Sequence, residues 1–233
     1  MSTPFRRHQM RVLAEQAALA TPNGGQVEGS AYELMLAQLY EHRRTLKGIQ
    51  SVERKIEAKR SMVGDFDAWI DGALAGGQGG QDLVLTSVMV WHLDIGNWER
   101  GLQIAEYVLQ HGLALPDQYN RDIATLLIDE SSTAALAGQL VGPDALVVLA
   151  RVDQMTAERD APDQARAKLH KAIGYALMGK TPTTEPDITT LDLAMARRAM
   201  DQLQRAHQLF GQVGVKKDME RLERRLKAGT GPD

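Results

Sequence analysis

Gly174-Tyr175-Ala176-Leu177-Met178-Gly179-Lys180-Thr181 has the spacing GxxxxGK[ST]. That is the pattern of a loop whose backbone amides cradle phosphates while its Lys reaches the outer ones. The chemistry needs a buried strand before the loop and a helix starting at the Lys-Thr end. Here the order is reversed. Residues 175–178 continue an apolar helical stripe, Gly179 suits a helix C-cap, and Pro182 and Pro186 bar a helix directly afterwards. Metal-assisted cleavage would need carboxylates converging on Mg²⁺. The best groups are Asp65, Asp67 and Asp71, which read as charges at a helix start, and Asp129 with Glu130, which lie on an amphipathic helix. Glu57-Ala58-Lys59 lacks the upstream acidic partner of a nuclease. The six histidines (8, 42, 92, 111, 170 and 207) show no HExxH or paired spacing, and there is no GxSxG elbow. His92 and His111 read as packed or capping residues. With no cysteine, thiolate metal sites, thiol nucleophiles and disulfides are excluded. No catalytic residue, metal site or cofactor is assigned.

What remains is positive charge. Net charge is +4 over residues 1–60, −10 over 61–190 and +3 over 191–233. Phosphate attraction is local and screened beyond roughly 10 Å, so basic ends on a nearly neutral chain can still bind a polyanion. Arg43, Lys47 and Arg54, spaced by four and seven, share one face of a helix, with Arg44, Lys55 and Lys59 continuing around it. Arg6, Arg7 and Arg11 make a smaller basic face near the start, and Lys216, Lys217, Arg221, Arg224 and Arg225 form a further basic set near the end. These residue types position nucleic-acid phosphates. No helix-turn-helix pattern accompanies them, so base-edge reading is not assigned. A solvated helix face is the competing account of the same charges.

The elements that must carry these residues are helices. A composition of 43% hydrophobic and 24% charged residues fits a soluble globular chain, and scarce aromatics with frequent Ala and Leu favour helix packing. No strand alternation appears, so the expected class is all-α. Thr3-Pro4 starts a short basic helix that ends at Thr21-Pro22-Asn23-Gly24-Gly25. Ser30-Ala31-Tyr32-Glu33 reads as a capping box opening one helix to Met62, more than 30 residues long, because no Pro interrupts it. Its stripe of Tyr32, Met35, Leu39, Leu46, Ile49 and Ile56 is longer than a small core is wide and predicts contact between copies of the chain. Asp82 opens an apolar helix around Trp91. Asn97 opens a second one containing Trp98 across a Gly96 turn, a hairpin of tetratricopeptide type; another hairpin follows Pro162, and an amphipathic helix spans 215–227. The expected domains are 1–28, a basic helix and linker; 29–80, a long-helix region for oligomerisation and DNA contact; and 81–233, helical hairpins. No run reaches the roughly 18 apolar residues of a membrane span, and residues 1–10 are polar and basic, unlike a secretory signal. The absence of cysteine suits a reducing cytoplasm.

Several stretches, taken in order, resemble the small terminase subunit of cohesive-ended, contractile-tailed bacteriophages, often labelled the terminase endonuclease subunit. They are Arg7-His8-Gln9-Met10-Arg11-Val12, Arg44-Thr45-Leu46-Lys47, Met89-Val90-Trp91-His92-Leu93-Asp94-Ile95-Gly96, Ala165-Arg166-Ala167-Lys168-Leu169-His170-Lys171 and Gly214-Val215-Lys216-Lys217-Asp218-Met219-Glu220-Arg221-Leu222-Glu223-Arg224. Relatives carry a long basic C-terminal tail, whereas this chain ends Lys227-Ala228-Gly229-Thr230-Gly231-Pro232-Asp233. The resemblance implies a protein of the host bacterial cytoplasm that binds viral double-stranded DNA at its packaging site. It also implies assembly as a homo-oligomeric ring and recruitment of the large terminase subunit that carries the motor ATPase and nuclease. A catalytic nuclease or ATPase, and a tetratricopeptide-like adaptor that binds no DNA, stay open as alternatives at this point.

Overall fold

The computed structural model describes residues 3–116 and 122–229. Of the residues quoted from the C-terminal end, Thr230-Gly231-Pro232-Asp233 lie outside the described residues. Among the described residues the architecture is all-α: eleven α-helices, two 3-10 turns and a single extended bridge between Gln26 and Gln81. The chain divides into two compact units, Met1–Ile123 and Ala124–Asp233.

The first unit holds α1 (Pro4–Ala20), α2 (Ser30–Lys47), α3 (Val52–Met62), α4 (Asp67–Gly76), α5 (Leu83–Asp94) and α6 (Trp98–His111). Thr3 caps α1, its side chain accepting from the Arg6 amide at 3.4 Å, with Pro4 in the first turn. The helix then lies against α4 through small residues. Gly72 approaches the Arg11 carbonyl and Ala14 so closely that a Cβ there would sit 2.1 Å from that oxygen, and Gly76 meets Ala18 in the same way. Ala14 and Ala18 are accordingly buried, while residues 3–9 of the same helix are exposed.

The single helix expected from 30 to 62 is two helices. Gly48 weakens the helix after Lys47, and Ser51 adopts extended backbone with its hydroxyl accepting from the Arg54 amide at 3.3 Å, which starts α3 afresh. The local cap wins over the absence of proline. The expected capping box at Ser30 also gives way: Gly29, at φ 111°, occupies the cap position and its carbonyl accepts from the Glu33 amide, so Ser30 is already inside the helix.

At the centre of this unit Tyr32 stacks on Trp69 with ring centroids 5.6 Å apart, and its hydroxyl accepts from the Leu83 amide at 3.0 Å. Asp82 is buried beside them. One carboxylate oxygen accepts from Trp69 Nε1 at 2.7 Å and the other from the Leu85 amide at 2.9 Å, so one side chain both caps α5 and satisfies the indole. Phe66, Ile70, Leu85, Met89, Leu102 and Ile104 complete a fully buried core. α5, apolar all round as expected of an interior helix, is buried from Val84 to Leu93. It joins α6 through the short Gly96 turn, and both helices belong to the first unit rather than standing with the later hairpins.

The second unit is built from α7 (Ile123–Leu136), α8 (Gly142–Thr156), α9 (Asp163–Met178), α10 (Leu193–Leu209) and α11 (Lys216–Gly229). Pro143 sits in the first turn of α8, where its missing N–H costs nothing. Gly174 of α9 packs directly under Leu203 and the Ala199 carbonyl of α10. The connection between those helices, 179–192, contains a 3-10 turn over Ile188–Thr190 and ends in Asp192, which accepts from the amides of Ala194 and Met195. Buried Asp218 ties α11 to this layer, accepting from Tyr175 Oη at 2.8 Å and Lys180 Nζ at 2.7 Å.

Candidate nucleic-acid interface

The break at 48–50 re-divides the basic face. Arg43 and Lys47 remain neighbours on the last turns of α2, one helical turn apart, while Arg54 and Lys55 open α3. The spacing of seven that placed Arg54 on their face assumed one continuous helix, and that assumption fails. Arg44, Lys47 and Arg54 are exposed, and Arg43 and Lys55 are partly covered. Arg44 pairs with Glu41 on the helix surface. Lys59 does not continue the face: its ammonium pairs with Asp94 and ties α3 to the end of α5. Between residues 43 and 55 only Glu53 is acidic against five basic residues. The cations Arg44 and Lys47 also sit in the last turn of α2, where they complement its dipole.

The N-terminal arginines occupy a different setting. Arg7 and Arg11, with His8, line a depression whose other wall carries Asp67 and Asp71 of α4, and Asp71 pairs with Arg100. Burial holds the Asp67 carboxyl above the usual range, against the pull of Arg100. A carboxylate wall beside two of the three arm cations lowers the potential they offer a phosphate. Arg6, also exposed, does not line that wall.

Of the stripe expected between copies, Tyr32, Met35, Leu39 and Leu46 are buried within their own chain, and Ile49 and Ile56 are half-buried. Apolar side chains that do face outward in the first unit include Phe5, Leu34, Tyr40 and Val52, the last 72% exposed. Val52 lies between Ile49 and Ile56.

The phosphate-loop spacing resolves into a helix end. Gly174 is inside α9, Gly179 closes it at φ 71°, and Lys180 reaches Asp218 at 2.7 Å and Glu185 at 3.3 Å. Both of these contacts tie down the 179–192 segment. The acidic candidates are dispersed: Asp65 meets His42 Nε2 at 3.1 Å, and Asp71 meets Arg100. Among the described residues no three His, Cys, Asp or Glu side chains are grouped to hold a metal ion. The histidines are packing residues in several cases. His111 lies 4.4 Å from the Tyr107 ring, His170 Nδ1 meets Gln202 Oε1 at 2.7 Å, and His92 is buried with its Nδ1 3.2 Å from Asn97 Nδ2. Asn97, expected to cap α6 with its side chain, spends its amide on His92 instead. Burial, with Arg100 adding to it, depresses the His92 pKa to about 4, so its imidazole is neutral at physiological pH. No helix of the described residues is long and apolar enough to cross a membrane.

No solved structure matches the chain. It is 38% identical over 235 residues to the protein named "Terminase, endonuclease subunit" of Escherichia phage P2, an alignment that covers 100% of this chain and 89% of that protein. Residues 36–164, from within α2 through α8, match the family described as phage small terminase subunit. The chain therefore belongs to the phage small terminase subunit family.

Proposed function

We propose that this chain is the DNA-recognition and regulatory subunit of a phage packaging complex. It binds viral double-stranded DNA in the host bacterial cytoplasm, associates with itself, and recruits a large terminase subunit that supplies ATP hydrolysis and strand cleavage. The observation that carries the reading is the run of Arg43, Arg44, Lys47, Arg54 and Lys55 along the end of α2 and the start of α3, with one carboxylate among them. Arg6, Arg7 and Arg11 act as an auxiliary arm. The engagement of Lys180 with Asp218 and Glu185 supports a chain without its own nucleotide chemistry. Self-association draws on what the core leaves free of the long stripe. Ile49 and Ile56 with Val52 between them are the members a second copy can reach, whereas Tyr32, Met35, Leu39 and Leu46 hold the chain's own fold. Repetition of the basic run around an assembly multiplies avidity by roughly 10²–10⁴ without a new type of contact.

The test is a salt series. Each phosphate contact removed lowers the magnitude of the slope of log affinity against log salt by about 0.9. Arg43→Ala with Lys47→Ala is expected to flatten that slope and weaken binding to duplexes of any sequence, at unchanged assembly mass by light scattering. An unchanged slope reduces these residues to a solvated helix face. The relative's name motivates the second reading, a nuclease. Mg²⁺-dependent cleavage of duplex DNA by the purified chain alone, abolished by no loss of fold, would establish it.

A further inference from the structure

We propose that the second unit carries its own phosphate site, a cleft between α11 and the 3-10 turn over Ile188–Thr190 that grips the backbone of duplex DNA; this rests on the DNA-binding reading above. The cleft measures about 350 Å³ and is lined by Arg221, Arg224 and Arg225 on one side and by residues 187–189 on the other. On a helix, positions separated by three and four lie on one face, so three guanidinium groups converge on one small volume. Each is held by a backbone carbonyl. Arg221 Nη2 donates to the Pro186 carbonyl at 3.1 Å, Arg225 Nε to that of Leu191 at 3.0 Å, and Arg224 Nε to that of Glu220 at 3.3 Å. Carbonyl anchoring fixes the planes of Arg224 and Arg225 without neutralising them.

Two carboxylates are nearby. Asp187 lines the cleft and keeps its charge, accepting from the Thr189 amide at 3.0 Å and from its hydroxyl at 2.7 Å, but the three arginines leave the lining net positive; Glu185 pairs with Arg221 and Lys180. Among the described residues neither Arg224 nor Arg225 meets a carboxylate within 4.0 Å. Two pre-oriented planar guanidinium groups, each with terminal N–H donors to spare, match the oxygens of a phosphodiester, and their low remaining freedom reduces the ordering cost of the contact. Guanidinium contacts to a phosphodiester fix position on the duplex and carry no sequence information, so the site is one of position.

The experiment compares the full-length chain with Arg224→Gln plus Arg225→Gln, with the charge-retaining Arg224→Lys plus Arg225→Lys, and with Arg197→Gln plus Arg198→Gln on α10 as an equal loss of charge elsewhere in the unit. Helical content by circular dichroism confirms the fold of each. Affinity for a fixed duplex across a salt series is expected to lose about 1.8 from its slope in the Gln pair at 224 and 225, for each copy on the DNA. Between about 50 and about 200 mM salt the wild type's affinity then falls about tenfold more than the variant's. The Lys pair restores most of the slope, and the α10 pair leaves it unchanged. A second arm replaces chloride by inorganic phosphate at matched ionic strength and reads the Tm, which rises in the wild type and not in the Gln pair.

If the wild type binds no duplex but the phosphate-dependent rise in Tm is present and is lost in the variant, the DNA-binding reading fails and the anion site stands. An intact slope in the 224/225 variant, or an equal loss in the α10 variant, overturns the site. So does the absence of both duplex binding and the phosphate effect. An acidic protein partner as the true occupant would show as an unmoved duplex slope and counts against the proposal.

Discussion

His92 is the residue whose environment departs furthest from what its type suggests. It is 2% exposed, one ring nitrogen faces Asn97, and Nε2 has no partner among the described residues. Its pKa is about 4 in the folded chain and 6.5 for the free side chain. The sign follows from which state binds the proton first. Between those values the unfolded chain is protonated and the folded chain is not, so the stabilising contribution is fully present above pH 6.5 and is lost as pH falls through about 4. The loss amounts to about 3 kcal/mol. Asp82 and Asp67, both raised by burial, work in the opposite sense: their penalty is relieved as acid protonates them. A difference measurement is therefore needed. Urea unfolding of wild type and His92→Gln over this pH range is expected to show a gap that narrows as pH falls, because only the wild type loses the His92 term. A gap independent of pH would mean that the imidazole is not held neutral by its burial.

Among the elements, the α1–α4 contact is made by absences of side chain. Gly72 and Gly76 let the backbone of α1 approach α4 at Ala14 and Ala18, and a methyl at 72 would strike the backbone oxygen of Arg11, which cannot swing aside. Gly72→Ala is expected to destabilise the first unit by about 1–3 kcal/mol despite the higher helix propensity of Ala. Gly64→Ala, whose methyl meets nothing nearer than Asp67 at 3.8 Å, is expected to change stability by under about 1 kcal/mol in the same denaturation assay. Equal effects would place the cost in the backbone and not in the contact.

This contact also marks the limit of what periodicity reveals. Apolar spacing announces the interior helix α5, and the Asp82 start and Gly179 end are legible too, because large side chains, capping carboxylates and αL glycines leave signals in the sequence. A face made of Gly and Ala leaves none. The division of α2 from α3 is written in Gly48 and Ser51, but the stripe steps regularly across them without a proline, so periodicity alone joins the two helices and reads Leu39 and its neighbours as a contact between copies instead of as core. The cleft at Arg224 and Arg225 was half-legible. Its spacing of basic residues is in the sequence, but the Leu191 carbonyl that orients Arg225 and the Pro186 carbonyl that holds Arg221 come from a loop some 30 residues away and depend on the fold.

At the scale of the molecule, two basic surfaces sit in two compact units, Arg43 and Lys47 in Met1–Ile123 and Arg224 and Arg225 in Ala124–Asp233. The acid is concentrated between them in sequence, −10 over residues 61–190. If both surfaces hold the same duplex, each contributes its own counterion release, and releases from well-separated contacts add. Removing either pair is then expected to lower the slope by about 1.8, and removing all four by about 3.6, for each copy on the DNA. The same arithmetic separates cooperation from substitution. If the two units compete for the duplex, each double variant keeps the wild-type slope because the other surface still binds, and only the quadruple variant loses about 1.8. Duplex length supplies the control: on a duplex that engages one unit at a time, both double variants keep the wild-type slope, and the additive loss disappears. Additivity on long duplexes that collapses on short ones is the expected result, read by fluorescence anisotropy at constant assembly mass. A quadruple slope matching a double at every length would assign DNA contact to one unit alone.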